Sequence, residues 1–425
     1  MVKVQRKNKK SLSENSVSRG ATKASAEASS LDAAQASRQS NEESRSFRKG
    51  SQKAGLKLGI LGGGQLARML ALAAHPYGIT PHIYSSLNSD PGAQVTQIFF
   101  QGDLNDTKSL ENFLKSCDVV TFESEFLNAE LLEKLSVKTK TAIYPAPRLM
   151  GLLQDRLSQK KLLAKYKIPS APYAPIENWS DLEKLKTFGS EVVLKQRRFG
   201  YDGYGTFFVN TKSGEMEWLK IQEKTKEGFI AEKKINFRRE LALLLARDQF
   251  GNIIEFPLVE SKQTKARCDW VMGPLKHLKI NALIKRLKVF LKKENYIGLM
   301  AFELFDTGKE LLVNEIAPRV HNSGHYSQEA LTLNQFQAHV LAVCGYKLPV
   351  PKVLSPFAMV NLLGLSNQIP NWPAKIWNDK IHGQLHWYGK MENRPNRKMG
   401  HINLLSSSPQ SALKLALSAR RKVKL

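Results

Sequence analysis

The chain has 425 residues, 42% of them hydrophobic, and a formal net charge of +26. That length buries a sizeable core in two or three domains, and no apolar run approaches the roughly 18 residues that cross a bilayer. Cys117, Cys268 and Cys344 are odd in number and far apart, which excludes a disulfide framework or a cysteine metal site and fits a reducing cytosol.

Residues 1–55 are polar, basic and almost free of aromatics, so a disordered basic tail is expected there. The tail is Ser- and Arg-rich like an organelle transit peptide, but Glu14, Glu27, Asp32, Glu42 and Glu43 break the acidic-poor rule for such peptides. No apolar h-region opens the chain, so a cytoplasmic protein is expected. The positive balance suggests a polyanionic partner. Beyond the tail and a terminal "ARRKVKL" the charge is scattered without a binding motif, which fits an enzyme with anionic substrates better.

Ordered sequence begins near Leu56. "LKLGILGGGQLARMLALAAHPYGITPHIYS" reads as strand, glycine turn, helix and second strand, a βαβ unit. With the later strand "DVVTFESE" it predicts an α/β domain over 56–150, closed by the proline-marked boundary "YPAPRLM". A basic amphipathic helix is expected from Gln154. Then "EVVLKQRR", "TFFVN", "FIAEK", "ELALLLARD", "IIEFPLVE" and "LMAFELF…ELLVNEIA" are short strands with intervening helices, an α+β layered domain over 151–350. After "YKLPVPKVLSP" a small C-terminal domain, 351–425, begins with the strand "FAMVNLLG".

Gly62, Gly64 and Ala67 satisfy G-x-G-x-x-A between a strand and a helix. The acidic residue that a dinucleotide fold places at the end of the second strand is missing, so the turn is either a bare tight turn or a site for another anionic ligand. Glu303 and Glu315 lie on two apolar runs joined by "DTGK", and period-two alternation puts both on one face. With Asn314 they form the hard-oxygen set that Mg²⁺ uses to bridge phosphates. Lys195, at the end of "EVVLK", is either a phosphate ligand or a solvated strand-end lysine. "LKQRRFGYDGYGT" is either a hairpin turn or a glycine loop over phosphates. Arg319, His321, Asn322, Ser323 and His325 crowd into seven residues after the second carboxylate, as a substrate-facing loop does. Lys390, Arg394, Arg397 and Lys398 occupy a turn-rich segment, either a solvated hairpin or a phosphate grip. No serine or cysteine nucleophile has a convincing base, so covalent hydrolase chemistry is disfavoured.

In order, "GGGQLARML", "TFESE", "VVLKQRRFGYDGYG", "EFPLVE", "LLVNEIAPRVHNSGH" and "HWYGK…RKMGH" closely resemble the 5-(carboxyamino)imidazole ribonucleotide synthases, ATP-grasp ligases of purine biosynthesis. The resemblance spans about Leu56 to His401. It implies an ATP-grasp fold, combining α/β and α+β layers, with an N-terminal preATP-grasp domain and a small C-terminal domain. It also implies that ATP and bicarbonate react to carboxyphosphate, whose carboxyl is captured by the amine of 5-aminoimidazole ribonucleotide, with Mg²⁺ as cofactor. The partners implied are these small molecules, a second copy of the chain in a homodimer, and a separate mutase that takes the product; neither a membrane nor nucleic acid is expected.

By the same resemblance, Arg156 and Lys195 are phosphate ligands, and Gly200, Tyr201, Asp202, Gly203, Tyr204 and Gly205 cover the triphosphate. Glu232, Lys233, Lys234 and Ile235 are the adenine hinge, and Glu240 and Gln263 also belong to the nucleotide site. Glu303 and Glu315, beside Asn314, hold Mg²⁺. Tyr201, Asp202, Arg319, His321 and Asn322 surround the reacting carboxyl. Gln65, Leu66 and Glu123 meet the aminoimidazole nucleotide, and Lys390 and Arg397 its phosphate. Members usually carry Lys or Arg where Tyr204 stands, glycine where Phe199 stands, and histidine where Gln263 stands; Arg197 and Arg198 are close enough in sequence to replace the missing loop charge. Two alternatives are an ATP-grasp ligase of different substrate, which Lys390 and Arg397 argue against, and a basic nucleic-acid-binding protein on a degenerate ligase fold, which the intact Glu303 and Glu315 argue against.

Overall fold

The computed structural model describes residues 55–200, 203–210, 220–221, 228–264, 266–365 and 382–423. The basic tail up to residue 54 and the loop residues Tyr201 and Asp202 lie outside the described residues. Among those described, no helix is long and apolar enough to cross a membrane.

Strands β1 (Lys57–Leu61), β2 (Thr80–Ser85), β3 (Ile98–Gln101), β4 (Val119–Phe122) and β5 (Ala142–Ile143) form a parallel sheet in the order β3-β2-β1-β4-β5. The near-continuous apolar run of β1 suits a parallel strand covered on both faces, and Leu58, Ile60 and Leu61 are fully buried. Helix Gln65–Ala74 follows the glycine turn as expected. The proline-marked "YPAPRLM" is the entry to a further helix, Pro147–Gln154, rather than a break. Pro147 sits in its first turn, where a missing N–H costs nothing. The basic helix then starts afresh at Arg156, because Asp155 caps it by accepting from the Leu157 and Ser158 N–H groups.

Strands β6 (Tyr173–Ile176), β7 (Glu191–Gln196), β8 (Thr206–Asn210) and β9 (Phe229–Lys233) make a small antiparallel sheet, β6-β9-β7-β8. The large sheet holds β10 (Arg239–Arg247), β11 (Ile253–Glu255), β12 (Val259–Thr264), β13 (Arg267–Gly273), β14 (Gly298–Asp306), β15 (Leu311–Ala317), β16 (Phe357–Leu363), β17 (Gly383–Trp387) and β18 (Lys398–Leu405). Its order is β15-β14-β10-β12-β13-β16-β18-β17, with β11 on β10. "IIEFPLVE", expected as one strand, is split into β11 and β12 around Pro257, which has no N–H for a ladder.

The C-terminal strands extend the large sheet: β16 pairs with β13, Trp270 opposite Val360. Helix Pro409–Arg421 covers them with Ala412, Ala416 and Ala419 on one buried face. The parallel sheet is tied to the large one through helix Gln335–Val343, which packs on helix Gln65–Ala74. Buried His339 sits at that junction. Its Nδ1 accepts from the Leu299 N–H, so Nε2 carries the proton and donates to Thr121 Oγ1 at 2.7 Å.

Candidate active site

A cavity of about 580 Å³ lies between the small sheet and the large one, within the range of small-molecule sites. Its floor is the β14–β15 hairpin. Glu303 and Glu315 are direct cross-strand partners there, as the alternation predicts. The register slips immediately beyond them, leaving Asn314 without a partner across the ladder. Such a bulge re-aims a side chain, and Asn314 and Glu315 both face the cavity although adjacent in sequence.

Two carboxylates at this distance repel. Burial, and then the charges of Glu315 and Glu240, push the Glu303 carboxyl up to about 8. Among the described residues there is no cluster of three His, Cys, Asp or Glu side chains fit for a metal. Two carboxylates and an amide do suit Mg²⁺, which takes few protein ligands and completes its shell with water and phosphate. In the cation-free protein the folded state holds the Glu303 proton more tightly than the unfolded chain, whose carboxyl titrates near 4.5. Stability is therefore lost as pH rises from about 4.5 through about 8. We expect thermal unfolding midpoints to show this loss, Glu303→Gln to flatten it, and Mg²⁺ with ADP to raise the midpoint more at pH 8 than at pH 6.

Cations face this floor from the other sheet. Lys195 Nζ donates to Asn314 Oδ1 at 2.9 Å and to Glu232 Oε2 at 3.2 Å. Lys160 Nζ lies 3.3 Å from the same Glu232 oxygen. Burial outweighs that carboxylate and lowers the Lys160 ammonium to about 8. Burial would raise Glu232, but the two lysines hold it below its ordinary value. The Glu232 side chain is thus an internal counter-ion.

Arg156 donates to Glu315 Oε1 at 3.1 Å, to Gln196 O at 3.0 Å and to Gly200 O at 3.3 Å. A Cβ on Gly200 would meet that guanidinium, so a larger residue there would displace the Arg156 tip. Among the described residues Arg197, a candidate for the missing loop charge, forms a two-pronged pair with Asp155. Arg198 lies 3.9 Å from the same carboxylate, and neither arginine lines the cavity. Tyr204 is 58% exposed with the Arg267 guanidinium 6.0 Å from its ring centre, and with Gly205 it stays outside the lining, whereas Gly203 is in it.

The loop after β15 brings Arg319, His321 and Asn322 to the cavity as expected. Arg319 grips Glu125 bidentately. Burial opposes ionising Glu125, yet the Arg319 charge holds its carboxyl below the ordinary range. His321 Nδ1 accepts from the Ser323 N–H, so the hydrogen bonds assign the proton to Nε2, 3.7 Å from Glu303 Oε1. Burial, reinforced by Arg319 and Lys398, lowers His321 to about 3, which keeps the ring neutral at pH 7. Asn322 exchanges amide hydrogen bonds with Asn361 at 3.0 and 2.6 Å.

At the N-terminal turn the anion is part of the chain. Glu123 accepts from the Gly64 and Ala67 N–H groups at the start of helix Gln65–Ala74. A Cβ on Gly62 or Gly64 would fall 2.6 or 2.7 Å from Glu123 atoms, so the glycines admit this carboxylate rather than a phosphate. Burial raises the Glu123 carboxyl, against the pull of both N–H groups. Gly64→Ala should destabilise the protein by ~1–3 kcal/mol through overpacking, read as a lower urea midpoint at unchanged slope.

Gln65 and Leu66 line the cavity beside this turn, and Lys233, Lys234, Ile235, Glu240 and Gln263 line its other end. Glu240 accepts from the Gln263 N–H at 3.1 Å. Lys390 and Arg397 are outside the lining: Lys390 donates to Lys398 O at 2.7 Å, and Arg397 to Glu392 O at 3.1 Å. The cation this segment gives to the cavity is Lys398. Glu125, Phe126 and Lys160 also escaped the sequence reading. Glu125 is two residues beyond Glu123 in "TFESE", and only its long-range partner distinguishes it.

Three family models match consecutive stretches: the ribonucleotide synthetase preATP-grasp domain over 56–154, the ATP-grasp domain over 161–336, and the phosphoribosylaminoimidazole carboxylase C-terminal domain over 358–415. A relative from Synechococcus elongatus named N5-carboxyaminoimidazole ribonucleotide synthase is 35% identical over 361 residues, 83% of this chain and 90% of its own. The Staphylococcus aureus N5-carboxyaminoimidazole synthetase crystallised with ADP superposes with a TM-score of 0.79 at 31% identity, covering 88% of this chain and 99% of that one. The Aspergillus clavatus synthase, in complex with ADP and 5-aminoimidazole ribonucleotide, superposes with a TM-score of 0.76 at 26% identity, covering 87% and 100%.

Proposed function

This chain belongs to the N5-carboxyaminoimidazole ribonucleotide synthase family of ATP-grasp ligases, and from that premise we propose how its own residues perform the reaction. The enzyme carboxylates 5-aminoimidazole ribonucleotide at the expense of ATP in purine biosynthesis. Bicarbonate is a poor electrophile. Transfer of the ATP γ-phosphoryl to its oxygen makes carboxyphosphate and ADP; the ribonucleotide amine then bonds to the carboxyl carbon as the C–O bond to phosphate breaks, and the amine proton leaves with the phosphate. The attacking amine is neutral, so the site needs alignment, charge neutralisation and dryness rather than a strong base.

The observation that carries this reading is the Glu303–Glu315 pair facing Lys195 and Arg156 across one cavity. Glu303, Glu315 and Asn314 would hold Mg²⁺, which when bound offsets the charge between neighbouring phosphates. Lys195 and Arg156 neutralise phosphate oxygens, and Arg156 fixes the start of the glycine loop. The backbone of residues 232–235 receives adenine, with Glu240 and Gln263 toward the ribose. Arg319 and neutral His321 surround the reacting carboxyl, and Asn322 is held in place by Asn361; Tyr201 and Asp202, given to the same reaction by the resemblance, lie outside the described residues. Gln65 and Leu66 meet the aminoimidazole nucleotide on the turn that Glu123 organises. Lys398 supplies charge for its phosphate, with Lys390 and Arg397 supporting that segment. We place the enzyme in the cytoplasm, with its phosphorylated metabolites.

The test is ADP release measured with each substrate omitted. Release that requires both bicarbonate and 5-aminoimidazole ribonucleotide is expected. ATP turnover indifferent to the ribonucleotide would sink the assignment.

A further inference from the structure

Helix Arg156–Lys165 carries Arg156 and Lys160 one turn apart, on the same face. Arg156 reaches the cavity, whereas Lys160 is 2% exposed and lies outside the lining. Its Nζ ends 3.3 Å from Glu232 Oε2, the oxygen to which Lys195 Nζ donates at 3.2 Å. Two ammonium groups thus converge on one carboxylate oxygen. Among the described residues Lys160 Nζ has no hydrogen-bond partner, and neither has Glu232 Oε1.

A buried ammonium held by an ion pair alone is a poor stabiliser, because leaving water costs more than one imperfect pairing returns. An apolar side chain of similar length would fill the same space. The charge balance gives Lys160 a different purpose. Both lysines hold Glu232 below its ordinary value, so it is ionised at pH 7. Lys160, lowered by burial to about 8, is still mostly protonated there. The three side chains therefore carry two positive charges and one negative. Of the two lysines, Lys195 lines the cavity. It spends two of its three N–H donors on Glu232 and Asn314. Were Lys195 the sole counter-ion of Glu232, the pair would be neutral, and an entering phosphate would meet the repulsion of the carboxylate as well as the attraction of the ammonium.

We propose that Lys160 is a positioning residue for the nucleotide: it neutralises Glu232 from outside the cavity, so that the charge of Lys195 is available to the ATP phosphates. This rests on the ligase reading, which sets nucleotide phosphates against Lys195.

The experiment measures ADP affinity by calorimetry in excess Mg²⁺, together with melting midpoints, for wild type, Lys160→Met and Lys160→Met/Glu232→Gln. Lys160→Met should weaken ADP binding roughly tenfold or more, the scale of one uncompensated charge at short range in a partly buried site. It should raise KM for ATP and leave KM for 5-aminoimidazole ribonucleotide unchanged. The double variant has the same surplus charge as wild type and should bind ADP within about twofold of it. Neutralising Glu232 would not restore a lost packing contact, so this rescue separates charge from structure. Wild-type ADP affinity in Lys160→Met, or a double variant that binds no tighter than Lys160→Met, overturns the proposal. If Lys160→Met does not melt cooperatively, the double variant, which leaves no carboxylate unpaired at this point, decides: near-wild-type affinity supports the proposal, and affinity roughly tenfold weaker overturns it. A wild type that binds no ADP overturns the ligase reading itself, which is a separate failure.

Discussion

Glu315→Ala is expected to reduce ADP release by at least ~10²–10³-fold, the scale on which loss of a preorganised charge-stabilising group slows an enzyme, while the protein remains folded. Glu315 is the cross-strand partner of Glu303 and accepts from Arg156. Its removal takes away half of the carboxylate pair and would leave the proposed Mg²⁺ with a single protein carboxylate. Stability should not suffer in parallel. Arg156 keeps its bonds to Gln196 O and Gly200 O, and Glu303 is freed from a repulsion that helps to raise its pKa. The cation-free variant should therefore melt at or slightly above the wild-type temperature. Wild-type rates in this variant would refute the metal assignment, and a collapsed melting transition would refute the claim that the pair is functional rather than structural.

Arg319→Ala should be the most destabilising single change at the site, by ~3–5 kcal/mol, because it strands the Glu125 carboxylate without its counter-charge. The bidentate pair links the segment after β4 to the loop after β15, a separation of 194 residues. In wild type the lowered Glu125 pKa means that the pair contributes stability above the unfolded carboxylate value, and loses it as pH falls through the folded value. In the variant the sign reverses: burial favours the protonated acid, so the protein should be less stable at pH 7 than at pH 5. Urea unfolding at the two pH values reads this directly. The double variant Glu125→Gln/Arg319→Gln should recover much of the loss, since breaking a buried pair costs more than replacing both members. Equal stability of Arg319→Ala and wild type at pH 7 would show that the pair is solvated and the site open at that end.

The carboxylate pair was legible because strand alternation is local: "AFELF" and "LLVNEIA" on either side of a short turn can place their glutamates on one face whatever the rest of the chain does. The βαβ start and the crowded "HNSGH" loop were legible for the same reason. The bulge at Asn314, which turns two consecutive side chains into one cavity, depends on how β15 pairs and has no signature in composition.

Charge pairing between distant segments lay wholly with the tertiary structure. Sequence proximity put Arg197 near the glycine loop, and its pairing with Asp155 had no signature there. The GGG turn looked like a place for a ligand's phosphate, but it receives Glu123 from the neighbouring strand. Glu232 stood out as part of a hinge, and its side chain proves to be the counter-ion of Lys195 and Lys160. In each case the residue types fix which interactions are chemically possible. Which one forms is set by the cost of leaving a buried charge unpaired, and that cost exists only once the sheets have come together.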